Sequence, residues 1–197
     1  FLAEALSQFY PDLTDPRFIS RFAIYHQRYS TNTFPTWRLA QPFRMIAHNG
    51  EINTVTGNIN WMKSHETRLA SAALDGFMDD IKPVIQAAGS DTATFDNVFE
   101  LLCRAGRDAP MAKALMVPES ITQNATLPDN HRNLFLYANA VMEPWDGPAA
   151  IAATDGRWVV AGVDRNGLRP MRTTITADGL LIVGSETGMV KLADAAR

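Results

Sequence analysis

"AAIAATDGRWVVAGVDRNGLRPMRTTITADGLLIVGSE", residues 149–186, alternates short apolar and β-branched runs with Asp155-Gly156, Asn166-Gly167 and Asp178-Gly179. Asp-Gly and Asn-Gly supply the positive φ values of tight hairpin turns, and the runs between them have strand length, so this stretch predicts an antiparallel meander. Working back from it, "RFAIYHQRYS" (21–30) and "FRMIAH" (43–48) predict two early strands. Between the two strand regions the period changes to that of helices. "NTVTGNINWMKSHETRLASAA" (53–73) places Val55, Ile59, Met62 and Leu69 near one face, with Asn53 as its cap. "SDTATFDNVFELLCRAG" (90–106) is the clearest helix, capped by Ser90 or Asp91, striped by Phe95, Val98, Phe99 and Leu102 and ended by Gly106. "PMAKALM" (110–116) and "NHRNLFLYANAVM" (130–142) predict two shorter helices, and residues 74–89 a connection. Strands, then helices, then strands again describe a sheet drawn from both ends of the chain with helices packed on it, an α+β layered fold.

The composition fits one domain with a real core: 197 residues, 46% hydrophobic, 20% charged, net charge −3. Lys and Arg number 18 against 21 acidic residues, with no basic run to neutralise a row of phosphates, which argues against nucleic acid. No window approaches the roughly 20 apolar residues of a membrane span. "FLAEALSQFYPDLTDPRF" (1–18) lacks the basic start of a signal peptide, and the chain begins with Phe inside what reads as a helix, as expected of a piece of a longer polypeptide. The single cysteine, Cys103, excludes an internal disulfide and fits a reducing compartment. It lies beside the apolar stripe of the clearest helix, which predicts a small core residue rather than a nucleophile. His26, His48, His65 and His131 show no metal-ligand spacing.

Four polar groups remain. Arg28 closes an expected strand, with Ser30 and Thr31 just after it; a guanidinium there can take a carboxylate bidentately, or form a surface salt bridge. His48-Asn49-Gly50 is either a hairpin turn or a side-chain amide and a backbone N–H aimed at one oxyanion. Asp91, at a helix start, stays ionised and can hold an ammonium or serve only as a cap. "DRNGLRP" (164–170) and "GSETG" (184–188) place Asp164, Arg165, Arg169 and Glu186 in what reads as a structural ion-pair network.

Arg28-x-x-Thr31, then His48-Asn49-Gly50, then Ser90-Asp91, in that order, resembles the class II, or N-terminal-nucleophile, glutamine amidotransferases. The stretches at 21–62, 88–102 and 155–170, with "MVPES" (116–120), resemble the glutamate synthase large chains within them. The resemblance runs from about Arg21 to Glu186. It implies a four-layer αββα sandwich, of which residues 1–197 would be the C-terminal part, incomplete without the strand that carries the nucleophile. It also implies that Arg28 binds the α-carboxylate of glutamine, that Thr31 supports that end, that Asp91 binds the α-ammonium, and that Asn49 and Gly50 form the oxyanion hole.

In such enzymes a cysteine at the mature N-terminus attacks the glutamine amide, with its own α-amino group as base. No cysteine stands near residue 1, so this segment alone is expected to be inactive. The resemblance implies no cofactor in the segment itself. It places FMN and an iron–sulfur cluster in a barrel elsewhere in the parent chain, where ammonia and 2-oxoglutarate become glutamate. A reductase subunit or ferredoxin would be the electron donor, and the setting cytoplasm or plastid stroma. Another class II amidotransferase, or a glutamine-binding module without catalysis, is the alternative.

Overall fold

A computed structural model describes residues 3–30, 32–122 and 126–191. In chain order it contains α1 (Leu6–Phe9), β1 (Ile46–Gly50), α2 (Val55–Glu66), α3 (Asp91–Arg104), α4 (Ala109–Met116), α5 (Asp129–Val141), β2 (Ala149–Thr154), β3 (Val159–Val163), β4 (Arg172–Ile175) and β5 (Leu181–Gly184). The strands form two antiparallel sheets, β1-β2-β3 and β4-β5. In the first, Ile46 faces Ala153, Gly50 faces Ala149 and Thr154 faces Val159. The early strand and the late hairpin therefore do share one sheet, as the order of elements predicts.

The expected continuous meander is broken at Asn166-Gly167. Asp155-Gly156 and Asp178-Gly179 lie in the connections of the β2–β3 and β4–β5 hairpins. Asp155 stabilises the first through N–H bonds from Arg157 and Trp158 at 2.8 and 2.7 Å. At the third turn the Asp164 carboxylate instead gathers the N–H groups of Ala149, Asn166, Leu168 and Arg169 at 2.9–3.1 Å. Those bonds curl 164–169 around Asp164, so β4 does not fold back onto β3.

Ser90 Oγ accepts the Ala93 N–H at 3.1 Å as the cap of α3, and the helix ends in a left-handed Gly106, with Arg107 N–H on the Leu102 carbonyl at 3.0 Å. Phe95, Val98 and Phe99 are at most 1% exposed, and each contributes about 1.5–3 kcal/mol by burial. They pack on Ile46, Ala149, Ile151 and Ala153 of the sheet, with Met62, Met116 and Trp145 closing the core. Phe95 meets Trp145 edge to face at 5.4 Å. Asp96 fixes the crossing: its buried carboxylate accepts N–H bonds from Met45 at 2.9 Å and Ile46 at 3.0 Å.

Two expectations fail locally. Residues 21–30 are not a strand: among the described residues they make one isolated bridge, Tyr29 to Ala40, and Phe22, Tyr25 and Tyr29 are exposed. An extended run without a partner ladder has no face to bury. The helix after β1 starts later and ends earlier than 53–73. Thr54 holds the cap position rather than Asn53, and its hydroxyl donates to Asn58 Oδ1 at 2.6 Å instead of capping. Leu69, expected on that helix, packs against the core from beyond its end. No described helix is long and apolar enough to cross a membrane.

Candidate active site

Strand alternation sends neighbouring side chains of β1 to opposite faces, and its last three residues use this. His48 points toward α3, where Nδ1 lies 2.8 Å from Thr92 Oγ1. Burial, which favours the neutral ring, pushes its pKa down against the pull of the nearby Asp91 carboxylate. Asn49, on the other face, donates from Nδ2 to Ser185 Oγ at 2.9 Å, just beyond β5. Asn49 and Gly50 are not a hairpin turn, since both belong to the ladder, opposite Ala150 and Ala149.

Gly50 is required by close approach. A Cβ there would stand 1.8 Å from the Pro148 carbonyl oxygen, and one on Gly147 would stand 2.0 Å from that of Glu51. The two segments are held this near by Glu51 N–H on Pro148 O at 2.8 Å and Asn53 N–H on Asp146 O at 2.7 Å.

Asp91 is the first residue of α3. Its Oδ2 accepts the Ile52 N–H at 2.8 Å, just past the end of β1, and leaves lone pairs for a further donor. One residue earlier, Ser90 Oγ donates to Ser30 Oγ at 2.9 Å, and both serines are buried. That bond brings the segment with Arg28 to the same helix end. Arg28 is exposed, and its guanidinium makes neither an ion pair nor a hydrogen bond among the described residues, so the surface salt bridge does not form. Thr31 lies outside the described residues.

The structural network expected of Asp164, Arg165, Arg169 and Glu186 is absent among the described residues: Asp164 is satisfied by backbone N–H groups, not by arginines. Burial opposes its ionisation, but the N–H groups of Ala149, Leu168, Arg169 and Asn166 together hold its pKa below the usual carboxylate range. Arg169 is near enough to His48 to oppose its protonation, and its Nε is buried without a hydrogen-bond partner. Cys103 is half-buried against the core, its thiol pushed up to about 11, first by burial and then by Asp155. A thiol so rarely ionised is a poor nucleophile.

Ser185 is the site residue that sequence reasoning missed. It lies 136 positions from Asn49, with no local pattern to mark it. A separate concavity lined by Met62, His65, Leu69, Leu101, Leu102 and Met142 reaches α3 ten residues after Asp91, about 15 Å along the helix, and takes no part in this arrangement.

The end of β1 thus carries an asparagine amide and a close-packed glycine, with the carboxylate at the start of α3 tied to it through Ile52 and the segment of an unpaired arginine tied to the same helix start through Ser30. Residues 1–196 match the family model described as class II glutamine amidotransferases. The chain belongs to the class II glutamine amidotransferases. This amidotransferase chain is 68% identical to the glutamate synthase [NADPH] large chain of Azospirillum brasilense over 192 residues, 98% of its own length and 13% of the relative's. It is 44% identical to the Bacillus subtilis counterpart over 96% of its length and 12% of that protein's. With the chloroplastic ferredoxin-dependent glutamate synthase 2 of Arabidopsis thaliana the figures are 45% identity, 96% and 12%. The amidotransferase chain therefore spans about an eighth of the length of these relatives.

Proposed function

We propose that these residues form the glutamine site of a glutaminase domain within a glutamate synthase large chain. Arg28 binds the α-carboxylate, with Thr31 supporting that end, and Asp91 binds the α-ammonium. The Asn49 side-chain amide and the Gly50 N–H stabilise the oxyanion. One observation carries the reading: three segments far apart in sequence, at 28–30, 48–52 and 90–92, are joined by Ser30–Ser90, His48–Thr92 and Ile52–Asp91 hydrogen bonds. Arg28 and Asp91 carry the two charges that a zwitterionic amino acid requires.

The reaction needs a thiolate that attacks the side-chain amide carbon of glutamine. The C–N bond breaks as ammonia leaves with a proton from the base, and water then cleaves the thioester to glutamate. Two neutral donors on the oxyanion contribute about 3–4 kcal/mol each. Cys103 does not suit the attack, so the nucleophile is a cysteine outside residues 1–197, with its own α-amine as base, and the 197 residues alone are inactive. The fold that goes with this chemistry is the four-layer αββα sandwich. Consistent with it, helices cover one face of β1-β2-β3, while Asn49 reaches Ser185 of the second sheet's exit from the other.

In the intact polypeptide the ammonia passes to a barrel holding FMN and an iron–sulfur cluster, where it is combined reductively with 2-oxoglutarate. A reductase subunit or ferredoxin supplies electrons, in the cytoplasm or a plastid stroma. Steady-state glutamine hydrolysis by the intact polypeptide tests the binding roles: Arg28→Met raises KM for glutamine about 10- to 100-fold, as loss of a charge-assisted pair requires. An unchanged KM refutes the role of Arg28.

A further inference from the structure

We propose that Ser185 is a positioning residue for the Asn49 amide, an inference that rests on the oxyanion-hole reading above. An asparagine side-chain amide rotates freely about its last torsion unless something fixes it, and a rotated amide presents its oxygen, rather than a donor, to the developing charge. Asn49 Nδ2 carries two hydrogens. One is committed to Ser185 Oγ at 2.9 Å, which orients the amide plane and leaves the second to point at an oxyanion.

The two sides of the contact are anchored by strands. Asn49 belongs to β1, in register with Ala150, and Ser185 follows directly on β5, whose last residue, Gly184, is paired with Arg172. At Gly184 a Cβ would come within 2.3 Å of Met189 Sδ, so the turn after Ser185 folds tightly back over the strand. The Ser185 hydroxyl thus reaches Asn49 from the second sheet, and the hole's alignment depends on the two sheets keeping their places. This also gives the "GSETG" stretch a task that its expected ion pairs do not fill.

The test measures glutamine hydrolysis by the intact polypeptide carrying Ser185→Ala, Ser185→Thr, Asn49→Ala and the double change, each checked for folding by circular dichroism. Ser185→Ala lowers kcat about 10- to 100-fold with KM for glutamine within about twofold, because misaiming a donor acts on the transition state and not on substrate binding. Ser185→Thr, which keeps the oxygen, restores kcat to within about threefold. The double variant is no slower than Asn49→Ala, since Ser185 acts only through that amide. A Ser185→Ala enzyme with native kcat, beside an Asn49→Ala enzyme that has lost it, overturns the role of Ser185 and leaves the hole intact. Losses that multiply in the double variant overturn it as well. Native kcat in Asn49→Ala refutes the hole itself, and with it this inference.

Discussion

The Asp91 carboxylate accepts the Ile52 backbone N–H at 2.8 Å, tying the start of α3 to the chain just after β1. One oxygen thus braces the site, and on the proposed reading the carboxylate also faces the substrate ammonium. Asp91→Asn separates the two tasks, because an amide oxygen still accepts from Ile52 but carries no charge for an ammonium. The expected result is a rise in KM for glutamine of about 10- to 100-fold with a native melting profile. Steady-state kinetics of the intact polypeptide check it.

Gly50 sits 1.8 Å, measured from a notional Cβ, from the Pro148 carbonyl oxygen. Gly50→Ala must push apart two segments held by the Glu51–Pro148 hydrogen bond, at a cost of about 1–3 kcal/mol or more. Hydrogen exchange in the intact polypeptide should show faster exchange at 46–54 and 146–151 and not in α5.

His48 gives the site a pH dependence. Burial, partly offset by Asp91, lowers its pKa in the fold, with Pro148, His26 and Arg169 also facing it. The unfolded chain takes up a proton near pH 6.5 that the folded ring refuses, so the stabilisation present above about pH 6.5 is lost as the pH falls. Protection of β1 amides, corrected for intrinsic rates, should drop between pH 7.5 and about pH 5.5. His48→Gln should shrink that drop, leaving what His26, shifted down by its own burial, contributes.

Asp164 acts in a lower range. Its pKa is depressed in the fold, so its contribution is present above about pH 4 and is lost as the pH falls through the folded value. Asp164→Ala strands four N–H donors and should loosen 164–170 by about 2–4 kcal/mol at neutral pH. Local exchange of the Leu168 and Arg169 amides reads this directly.

How much of this was legible beforehand follows from the range of each interaction. α3 was readable to within a residue or two because its cap, stripe and terminating glycine are local signals. The hairpins at Asp155 and Asp178 were readable for the same reason. Asn166-Gly167 looks identical in sequence, but the outcome there is set by the Asp164 side chain, which collects N–H groups from both sides of β3. The strand expected at 21–30 failed because pairing depends on a neighbour that no local pattern names. For the proposed site, Arg28, Thr31, Asn49, Gly50 and Asp91 were named through the order of their motifs. Ser185 was invisible because its one relevant contact spans 136 residues.

Ammonia release from glutamine by the intact polypeptide, native against Asn49→Ala, tests the glutaminase assignment most directly. With the fold verified, Asn49→Ala should lower kcat about 10²- to 10³-fold while KM for glutamine stays within a few-fold, since on the proposed reading the amide acts on the oxyanion and not on the bound substrate. Ammonia release at the native rate from Asn49→Ala, or none from the native protein, would contradict it.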